Sequence, residues 1–489
     1  MREDTEGIII DSAGLLFFLK TFSVYNKKGN NKVNRLNGIN AQPLGSSQLA
    51  LEANFEQIRK DYGIFFTPER IVDFMVGLID AQEYVGRNKV NILEPACGLA
   101  QFLSGIKRMH PSLFRKASLS GVEINYEIIR RLKSLRIADE INLIHQDYLL
   151  WQSEPVFDLI IGNPPYGIPS LSSHYTIKIP PETKERYKKL FQTWYGKYNV
   201  YGAFIEKSVK LLKPEGRLIL IVPATFMILD EFKKLREFLA KNGRSQLIYL
   251  GPDVFKPEAE VASLVLDFRK SKQLAHNLKL LEYQGGKTFP IKVEHRWDGE
   301  VVKFETEYSR ALENHCSYLL QDLFEIRISP RTPEIKNSSL VLKTKPKHSS
   351  GYLPLLNGRN LKCNQIFYEN LSGYWIKKTD LHRFRGWFGK PHIVVGLGFR
   401  ENGKVAAGLD DRCYPWMGDI YHLFEKEGLF NTGYDLSKSE LLEYLNSEYI
   451  RRYVKDAFRE ITYHLSITQL KHLPVPTKRE WEEIKRNFI

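Results

Sequence analysis

Cysteine is scarce in this chain of 489 residues, which contains four: Cys97, Cys316, Cys363 and Cys413. They lie far apart and form neither a CxxC pair nor a Cys/His pattern with the spacing of zinc ligands. This argues against a disulfide framework and against a structural metal, and it favours a reducing compartment. We therefore expect a cytoplasmic protein without a metal site.

Long hydrophobic runs are missing as well. The apolar stretch near the N-terminus, IIIDSAGLLFFL at residues 8–19, carries Asp11 inside it and acidic residues ahead of it. It is too short to span a bilayer, and an acidic flank is wrong for a secretory signal. A chain with 43% hydrophobic and 26% charged residues is globular. We expect two domains from its length, and no membrane partner.

Acidic residues are in the minority. The chain has 57 Asp and Glu against 71 Lys and Arg, which gives a formal net charge of +14. Such an excess favours a polyanionic partner, because basic side chains that bind phosphates release condensed counterions. Many basic proteins bind no nucleic acid, so the charge alone leaves DNA and other partners open.

From about residue 68 to residue 270, strand-like and helix-like segments alternate. The strand-like segments VNILE, GVEIN, FDLIIG and GRLILIVP are mostly apolar, and helices with one apolar face separate them. Such strands are typical of a parallel sheet covered on both faces. We predict an α/β fold with a doubly wound, mostly parallel sheet over residues 56–270. Residues 1–55 are an extension of unassigned role, and residues 271–489 form a second, mixed α/β domain for recognition.

The stretch FDLIIGNPPYGIP at residues 157–169 places Asn163 directly after an apolar strand. Ligands of doubly wound sheets bind at the carboxyl ends of the strands. The two prolines prevent a helix or strand from continuing, so they hold their carbonyl groups at set angles. The Asn163 amide oxygen and the Pro164 carbonyl are two acceptors suited to an amino group, and Tyr166 could lie against its ring. The alternative is a turn that only ends the strand.

Two acids predict a cofactor at the preceding strand ends. LEPACG at residues 93–98 lacks the full GxGxxG fingerprint, which speaks against NAD, but its small residues let a ligand approach the backbone. Glu123 ends the next strand, where it could accept from a ribose diol. Asp147 and Tyr148 could accept from an adenine amino group and pack on its ring. An adenosine cofactor with no bound phosphate is favoured, and S-adenosylmethionine fits that description.

The order of these motifs resembles a known family. TPERIVDFM, LEPACG, GVEI, QDYLLW, GNPPYG, KYNVYGAFIEK and VPATF follow one another as in the gamma class of amino-methyltransferases, within which the chain is similar to the TaqI-type adenine-N6 DNA methyltransferases. The likeness runs from about residue 60 to about residue 476 and includes NGRNLK, YPW, LNSE and HLPV in the second half. It does not cover residues 1–55.

The resemblance implies a sequence-specific enzyme that methylates N6 of a flipped-out adenine in duplex DNA. It implies a monomer that acts as the modification partner of a type II restriction system, beside a separate endonuclease for the same site. The target adenine would be held by Asn163, Pro164, Tyr166 and Phe255. The positions that stand where the family contacts S-adenosylmethionine are Thr67, Glu94, Ala96, Glu123, Ile124, Asp147, Tyr148, Pro165 and Phe204.

The second domain carries the predicted DNA contacts. Arg359 and Asn360 in NGRNLK have the donor fork and the amide that suit guanine and adenine edges. Tyr463 and His464 stand where the family has a proline before the histidine, so the residue opposite the flipped base differs here. We hypothesise that Tyr463 stacks on the orphan base; the alternative is a tyrosine packed beneath the recognition surface.

Two other functions remain open at this point. A protein glutamine methyltransferase would also present an –NH2 group to Asn-Pro-Pro-Tyr, although the long second domain and Phe255 argue against it. A non-catalytic nucleic-acid-binding module with a decayed cofactor site is the other alternative. Binding of the cofactor to the purified chain separates this module from an enzyme.

Overall fold

The computed structural model describes residues 66–154, 156–169, 176–257, 259–400, 404–418, 420–428, 433–459, 461–462 and 464–487. The predicted N-terminal extension, residues 1–55, and Tyr463 lie outside the described residues. The chain folds into two compact units. Among the described residues, unit 1 comprises those within 66–223, 234–289 and 294–299, and unit 2 those within 224–233, 290–293 and 300–487.

Unit 1 is built on a nine-stranded sheet with the order β11-β10-β8-β9-β7-β4-β1-β2-β3. The adjacent strands β7, β4, β1, β2 and β3 are parallel to one another, and β8 is parallel to β10. Strand β9 is antiparallel to both of its neighbours, β7 and β8. The strands are β1 (Val90–Glu94), β2 (Ala117–Glu123), β3 (Asn142–His145), β4 (Phe157–Gly162), β7 (Leu212–Pro223), β8 (Gly243–Gly251), β9 (Ser263–Lys270), β10 (Leu278–Gln284) and β11 (Lys287–His295). The predicted doubly wound, mostly parallel fold is confirmed.

Helices connect these strands. They are α1 (Glu69–Gly77), α2 (Gln101–Met109), α3 (Pro111–Lys116), α4 (Tyr126–Leu132), α5 (Pro181–Leu190), α6 (Val200–Leu211) and α7 (Lys233–Asn242). Local chemistry sets their starts: the Asn125 side chain accepts from the backbone N–H groups of Glu127 and Ile128 and so caps α4. Two short strands, β5 (Ile168–Pro169) and β6 (Thr176–Ile177), pair in parallel ahead of α5.

The sheet runs beyond the boundary predicted at residue 270. Strand β10 pairs in parallel with β8, with Leu278 opposite Ser245 and Glu282 opposite Tyr249, and β11 follows as the outermost strand. The segment β10, LKLLEYQ, contains polar residues among its apolar ones, so it lacks the apolar pattern of the inner strands. The structure therefore places residues 278–295 in the large sheet.

Unit 2 is richer in short strands. Its largest sheet has the order β13-β21-β19-β20 and is antiparallel throughout, and a three-stranded sheet β14-β18-β15 and two pairs, β12-β22 and β16-β17, accompany it. Its strands are β12 (Tyr318–Leu319), β13 (Phe324–Ile328), β14 (Val341–Leu342), β15 (Tyr352–Pro354), β16 (Leu361–Lys362), β17 (Gln365–Ile366), β18 (Trp375–Lys377), β19 (His392–Arg400), β20 (Lys404–Asp410), β21 (Ile420–Glu425) and β22 (Pro474–Val475). Its helices are α8 (Glu307–Asn314), α9 (Leu320–Leu323), α10 (Thr332–Lys336), α11 (Lys438–Leu445), α12 (Glu448–Phe458), α13 (Ile467–Lys471) and α14 (Lys478–Asn487).

A ten-residue segment of unit 2, residues 224–233, lies far from the rest of that unit in the sequence. Asp230 accepts from the Thr468 hydroxyl and from Lys471 Nζ, each at 2.9 Å. Met227 O accepts from Val302 N at 3.0 Å. These bonds attach the segment to residues near the start and near the end of the range 300–489 of unit 2. Among the helices in the described part of the chain, none is long and apolar enough to cross a membrane.

Candidate active site

A cavity of about 330 Å³ lies at the carboxyl ends of β1, β2, β3 and β4. The order of these strands in the sheet is β4-β1-β2-β3, so the chain changes direction between β1 and β4, and doubly wound sheets bind ligands at such a switch point. Eleven of the predicted site residues line this one cavity: Thr67, Glu94, Ala96, Glu123, Ile124, Asp147, Tyr148, Asn163, Pro164, Pro165 and Phe204.

Glu123, the last residue of β2, is held by two backbone donors. Its Oε2 accepts from Gly98 N at 3.0 Å and its Oε1 accepts from Asn125 N at 2.9 Å. Burial raises the pKa of this carboxyl, and the N–H donors oppose that rise. Each carboxylate oxygen can accept a further hydrogen bond. The side chain is therefore oriented as an acceptor for hydroxyl groups of a ligand.

Glu94 ends β1 and is almost fully buried. Its Oε2 accepts from Leu103 N, in the first turn of α2, at 3.2 Å, where the positive end of the helix dipole favours a carboxylate. Burial still raises the pKa of Glu94 well above its usual range. The backbone donors of α2 thus offset part of the cost of burying this carboxyl group, which forms part of the cavity wall.

Asp147 is oriented by two donors and lies beside an aromatic pair. Its Oδ1 accepts from Leu149 N at 2.8 Å, and its Oδ2 accepts from the Tyr187 hydroxyl at 2.6 Å. The Tyr148 and Phe204 rings contact each other with centroids 4.9 Å apart and an interplanar angle of 31°. An acceptor next to two ring faces is the arrangement expected for a purine with an exocyclic amine.

Asn163 follows β4 directly and is oriented by its own donor. Its Nδ2 donates to the Thr67 hydroxyl at 3.1 Å, which sets the plane of the amide. The loop behind it is held at Gly167, whose N–H donates to Asn199 Oδ1 and whose carbonyl accepts from Val200 N, both at 2.9 Å. The Asn-Pro-Pro-Tyr segment is therefore tied at both of its ends.

Tyr166 and Phe255 lie against each other in the structure, outside the lining of the cavity. Tyr166 is buried, its hydroxyl donates to Ile221 O at 3.0 Å, and its ring meets that of Phe255 edge to face with centroids 5.9 Å apart. Phe255 is also buried, and neither residue is among those that line the cavity. A base held between these two rings requires them to separate from this contact, so their stacking role stays a prediction.

Three residues of this site were not predicted from the sequence. Asn199 anchors Gly167 and caps α6, Tyr187 donates to Asp147, and Lys207 lies with its Nζ 5.1 Å from the centroid of the Tyr148 ring. Burial lowers the pKa of Lys207 to about 8, and the charge of Asp147 opposes the change. The Asn before an apolar helical segment in NVYGAFIEK is a recognisable cap signal. The positions of Tyr187 and Lys207 depend on tertiary packing.

The predicted DNA contacts in unit 2 divide into two kinds. Arg359 is exposed and donates to Leu371 O, and His464 is exposed. Asn360 is fully buried: its Nδ2 donates to Phe367 O at 2.6 Å and to Glu369 O at 2.8 Å, and its Oδ1 accepts from Asn357 N at 3.0 Å. This amide is used to hold the turn, which contradicts the base contact predicted for Asn360.

The chemistry of the cavity fits a cationic, phosphate-free cofactor. Among the described residues that line it, Glu94, Glu123 and Asp147 are acidic and Lys178 is the one basic residue. An excess of carboxylates suits the positive sulfonium centre of S-adenosylmethionine and disfavours a pyrophosphate. Within the described ranges no cluster of three or more His, Cys, Asp or Glu residues could hold a metal ion.

Comparisons with known proteins identify the family. Residues 18–255 match the Eco57I restriction-modification methylase family, and residues 353–475 match the TaqI-like C-terminal specificity domain. The chain is 40% identical over 425 residues to the Type II methyltransferase M.TthHB8I of Thermus thermophilus, a match that covers 86% of this chain and 92% of that protein. Modification methylase CviBIII of Paramecium bursaria Chlorella virus NC1A is 27% identical over 36% of this chain and 42% of its own length.

Two solved structures agree in fold. The DrdV-DNA complex has a TM-score of 0.52 at 12% identity and covers 88% of this chain and 57% of that one. The Type IIL restriction-modification enzyme MmeI in complex with DNA has a TM-score of 0.51 at 12% identity, and the match covers 89% of this chain and 69% of that one. Because the chain is 40% identical to a type II methyltransferase over 92% of that protein's length, it belongs to the family of S-adenosylmethionine-dependent type II DNA methyltransferases.

Proposed function

We propose that this DNA methyltransferase transfers the methyl group to N6 of an adenine that is rotated out of duplex DNA. One observation carries the proposal: Asn163 of the Asn-Pro-Pro-Tyr segment follows β4 and lines the same cavity as Glu123 and Asp147. An acceptor for an amino group thus shares a cavity with two acceptors for an adenosine. Enzymes that act on a base in a duplex bring it into such a pocket by flipping it.

The residues of the cavity have separate roles in this proposal. S-adenosylmethionine, when bound, supplies an activated methyl group on its sulfonium. Glu123 accepts from hydroxyl groups of the cofactor, Asp147 accepts from its adenine amine, and the rings of Tyr148 and Phe204 pack on the purine. Asn163 Oδ1 and the Pro164 carbonyl accept the two hydrogens of the target amine. They draw its nitrogen out of conjugation and direct its lone pair at the methyl group.

Other parts of the proposal concern the biological setting. We infer a monomeric, cytoplasmic enzyme that protects the recognition sequence of a separate restriction endonuclease. Unit 2, which contains the match to the specificity domain, would select the sequence, with exposed Arg359 and His464 as candidate contacts. Phe255 and Tyr166 would pack on the flipped adenine after their edge-to-face contact opens, and Tyr463 would approach the orphan base.

The test is to incubate the purified chain and S-adenosylmethionine with DNA that lacks methylated adenine. After digestion to nucleosides, mass spectrometry should detect N6-methyldeoxyadenosine, and sequencing that detects modified bases should place it in one short sequence. A modified cytosine, or methyl transfer to a glutamine of a protein and not to DNA, would reject the proposal. Neither cofactor binding nor methyl transfer, with DNA binding retained, would favour the non-catalytic alternative.

Gly167 provides a test of the catalytic loop. Its φ is +154°, and a Cβ at this position would lie 2.5 Å from Ile177 Cγ1 and 3.1 Å from Ile177 N. We expect Gly167→Ala to reduce stability by about 1–3 kcal/mol and to slow methyl transfer severalfold, because the loop must shift. Thermal melting and a methylation assay measure the two effects.

Gly285→Ala is the matched control. Gly285 also has a positive φ, +56°, but a Cβ there meets nothing within 4 Å. We expect this variant to show a small loss of stability and an unchanged rate. A Gly167→Ala enzyme that matches Gly285→Ala in rate would show that the loop tolerates the displacement.

A further inference from the structure

Helix α5 presents one partly buried face and one exposed face. Along PETKERYKKL at residues 181–190, Tyr187 is buried, Thr183 and Lys184 are half-buried, and the other residues are exposed. These three residues lie at spacings of one, three and four, which places them on one side of a helix. Thr183 and Tyr187 line the cavity that holds the predicted cofactor residues. The buried face of α5 is thus a wall of the site.

Tyr187 connects this wall to the cofactor end of the cavity. Its hydroxyl donates to Asp147 Oδ2 at 2.6 Å, a short hydrogen bond to a charged acceptor. Burial and the negative charge of Asp147 both raise the pKa of Tyr187, so the hydroxyl keeps its proton and remains a donor. With Leu149 N on Oδ1, the carboxylate has one donor on each oxygen and a fixed orientation.

Lys184, one turn earlier, connects the same wall to the catalytic loop. Its Nζ donates to Pro169 O at 3.0 Å. Pro169 lies three residues after Tyr166, in β5, and β5 pairs with β6, which leads into α5. The loop is therefore held at Gly167 by α6 and at Pro169 by α5.

We propose that α5 is a positioning element that couples the cofactor carboxylate Asp147, through Tyr187, to the Asn-Pro-Pro-Tyr loop, through Lys184. The inference rests on the proposed function, because it assigns Asp147 to the cofactor and the loop to the target base. In this account Tyr187, although it lines the cavity, acts through Asp147, and Lys184 acts through the loop. A shift of α5 when Asp147 engages its ligand would move the loop carbonyl of Pro169, and a shift of the loop would move Asp147.

The first measurement concerns Tyr187→Phe, which keeps the ring and removes the hydroxyl. We expect the Kd for S-adenosylmethionine, measured by calorimetry on the full chain without DNA, to rise roughly tenfold, because Asp147 loses a charge-assisted bond. The melting temperature should stay close to that of the wild type, since the packing of the ring is retained. An unchanged Kd would overturn the link between Tyr187 and the cofactor.

The second measurement concerns Lys184→Met, which keeps the aliphatic stem. At saturating cofactor, we expect the single-turnover rate constant of methyl transfer to fall roughly tenfold, while the Kd for S-adenosylmethionine stays within about twofold of the wild type. Because both residues act through one helix, Tyr187→Phe should also lower this rate constant at saturating cofactor, and in the double variant the two effects on the rate should fail to add. Additive effects would mean that the two bonds act independently.

Lys189→Met is the matched control. Lys189 is exposed on the opposite side of α5 from Tyr187, so its replacement alters the charge of the helix and leaves both bonds intact. If Lys189→Met reproduces either effect, or if Tyr187→Phe and Lys184→Met change only the melting temperature, α5 is merely a structural wall. The calorimetric result is independent of the base that is methylated. A wild type that modifies another base would therefore overturn the adenine proposal and leave this test valid.

Discussion

We expect Asn163→Ala to lower the rate of methyl transfer to DNA by roughly 10²- to 10³-fold, the size seen when one preorganised hydrogen-bonding group is removed from a reacting centre. The amide is preorganised here because Nδ2 donates to Thr67 and the loop is tied at Gly167. Single-turnover kinetics at saturating cofactor measure the rate directly. The Kd for S-adenosylmethionine should change little, because Asn163 acts on the target amine.

A change at an exposed asparagine provides the comparison. Asn142 begins β3 and is exposed, so Asn142→Ala should leave rate and cofactor affinity unchanged. For Asp147→Ala we expect the opposite result, in which the Kd for S-adenosylmethionine rises more than the rate of methyl transfer falls. If Asn163→Ala methylates DNA at the wild-type rate, the catalytic role assigned to the Asn-Pro-Pro-Tyr segment is wrong.

Binding to duplex DNA should be strongly weakened by salt. The net charge of +14 predicts many contacts between basic side chains and phosphates. Neutralising six or more phosphates costs about 10³-fold or more in affinity between 50 and 200 mM salt. Fluorescence anisotropy with a labelled duplex, measured at five or so salt concentrations, gives the slope of log Kd against log salt.

The same titration with S-adenosylmethionine provides the control for salt. Its cavity is acidic and the ligand carries no phosphate, so the slope for cofactor binding should be shallow. A shallow slope for DNA as well would show that the positive charge of the chain serves another purpose. The DNA-binding surface would then have to be mostly uncharged.

The sequence was sufficient to predict which acidic residues line the cavity. Glu94, Glu123 and Asp147 end or follow parallel strands, and the carboxyl ends of parallel strands meet at one edge, so strand assignment alone brings them together. Asn163 was found in the same way. In each case the position depends on the strand that precedes the residue, and the mostly apolar segments VNILE, GVEIN and FDLIIG mark three of these four strands.

Residues whose environment depends on distant segments were harder to predict. Asn360 looks like an exposed loop amide, yet carbonyls seven and nine residues later bury and use it. Tyr187 belongs to a highly charged helix, and its role depends on where α5 docks. The last strands of the sheet were missed because outer strands tolerate polar residues and lose the apolar pattern of the centre. In all three cases the environment depends on packing between segments that are far apart in the sequence, which a local sequence pattern cannot predict.

The segment at residues 224–233 limits how new specificities could be made by recombining parts of such enzymes. A chimaera that exchanged residues 300–489 alone would keep Asp230 and Met227 from one parent and replace their partners Thr468, Lys471 and Val302 with residues of another. The bond between Val302 N and Met227 O joins backbone groups, but both side-chain bonds of Asp230 would be lost unless the new parent supplied matching groups. A transplant should therefore have two inserts, in which the ten-residue segment travels with the specificity unit it belongs to.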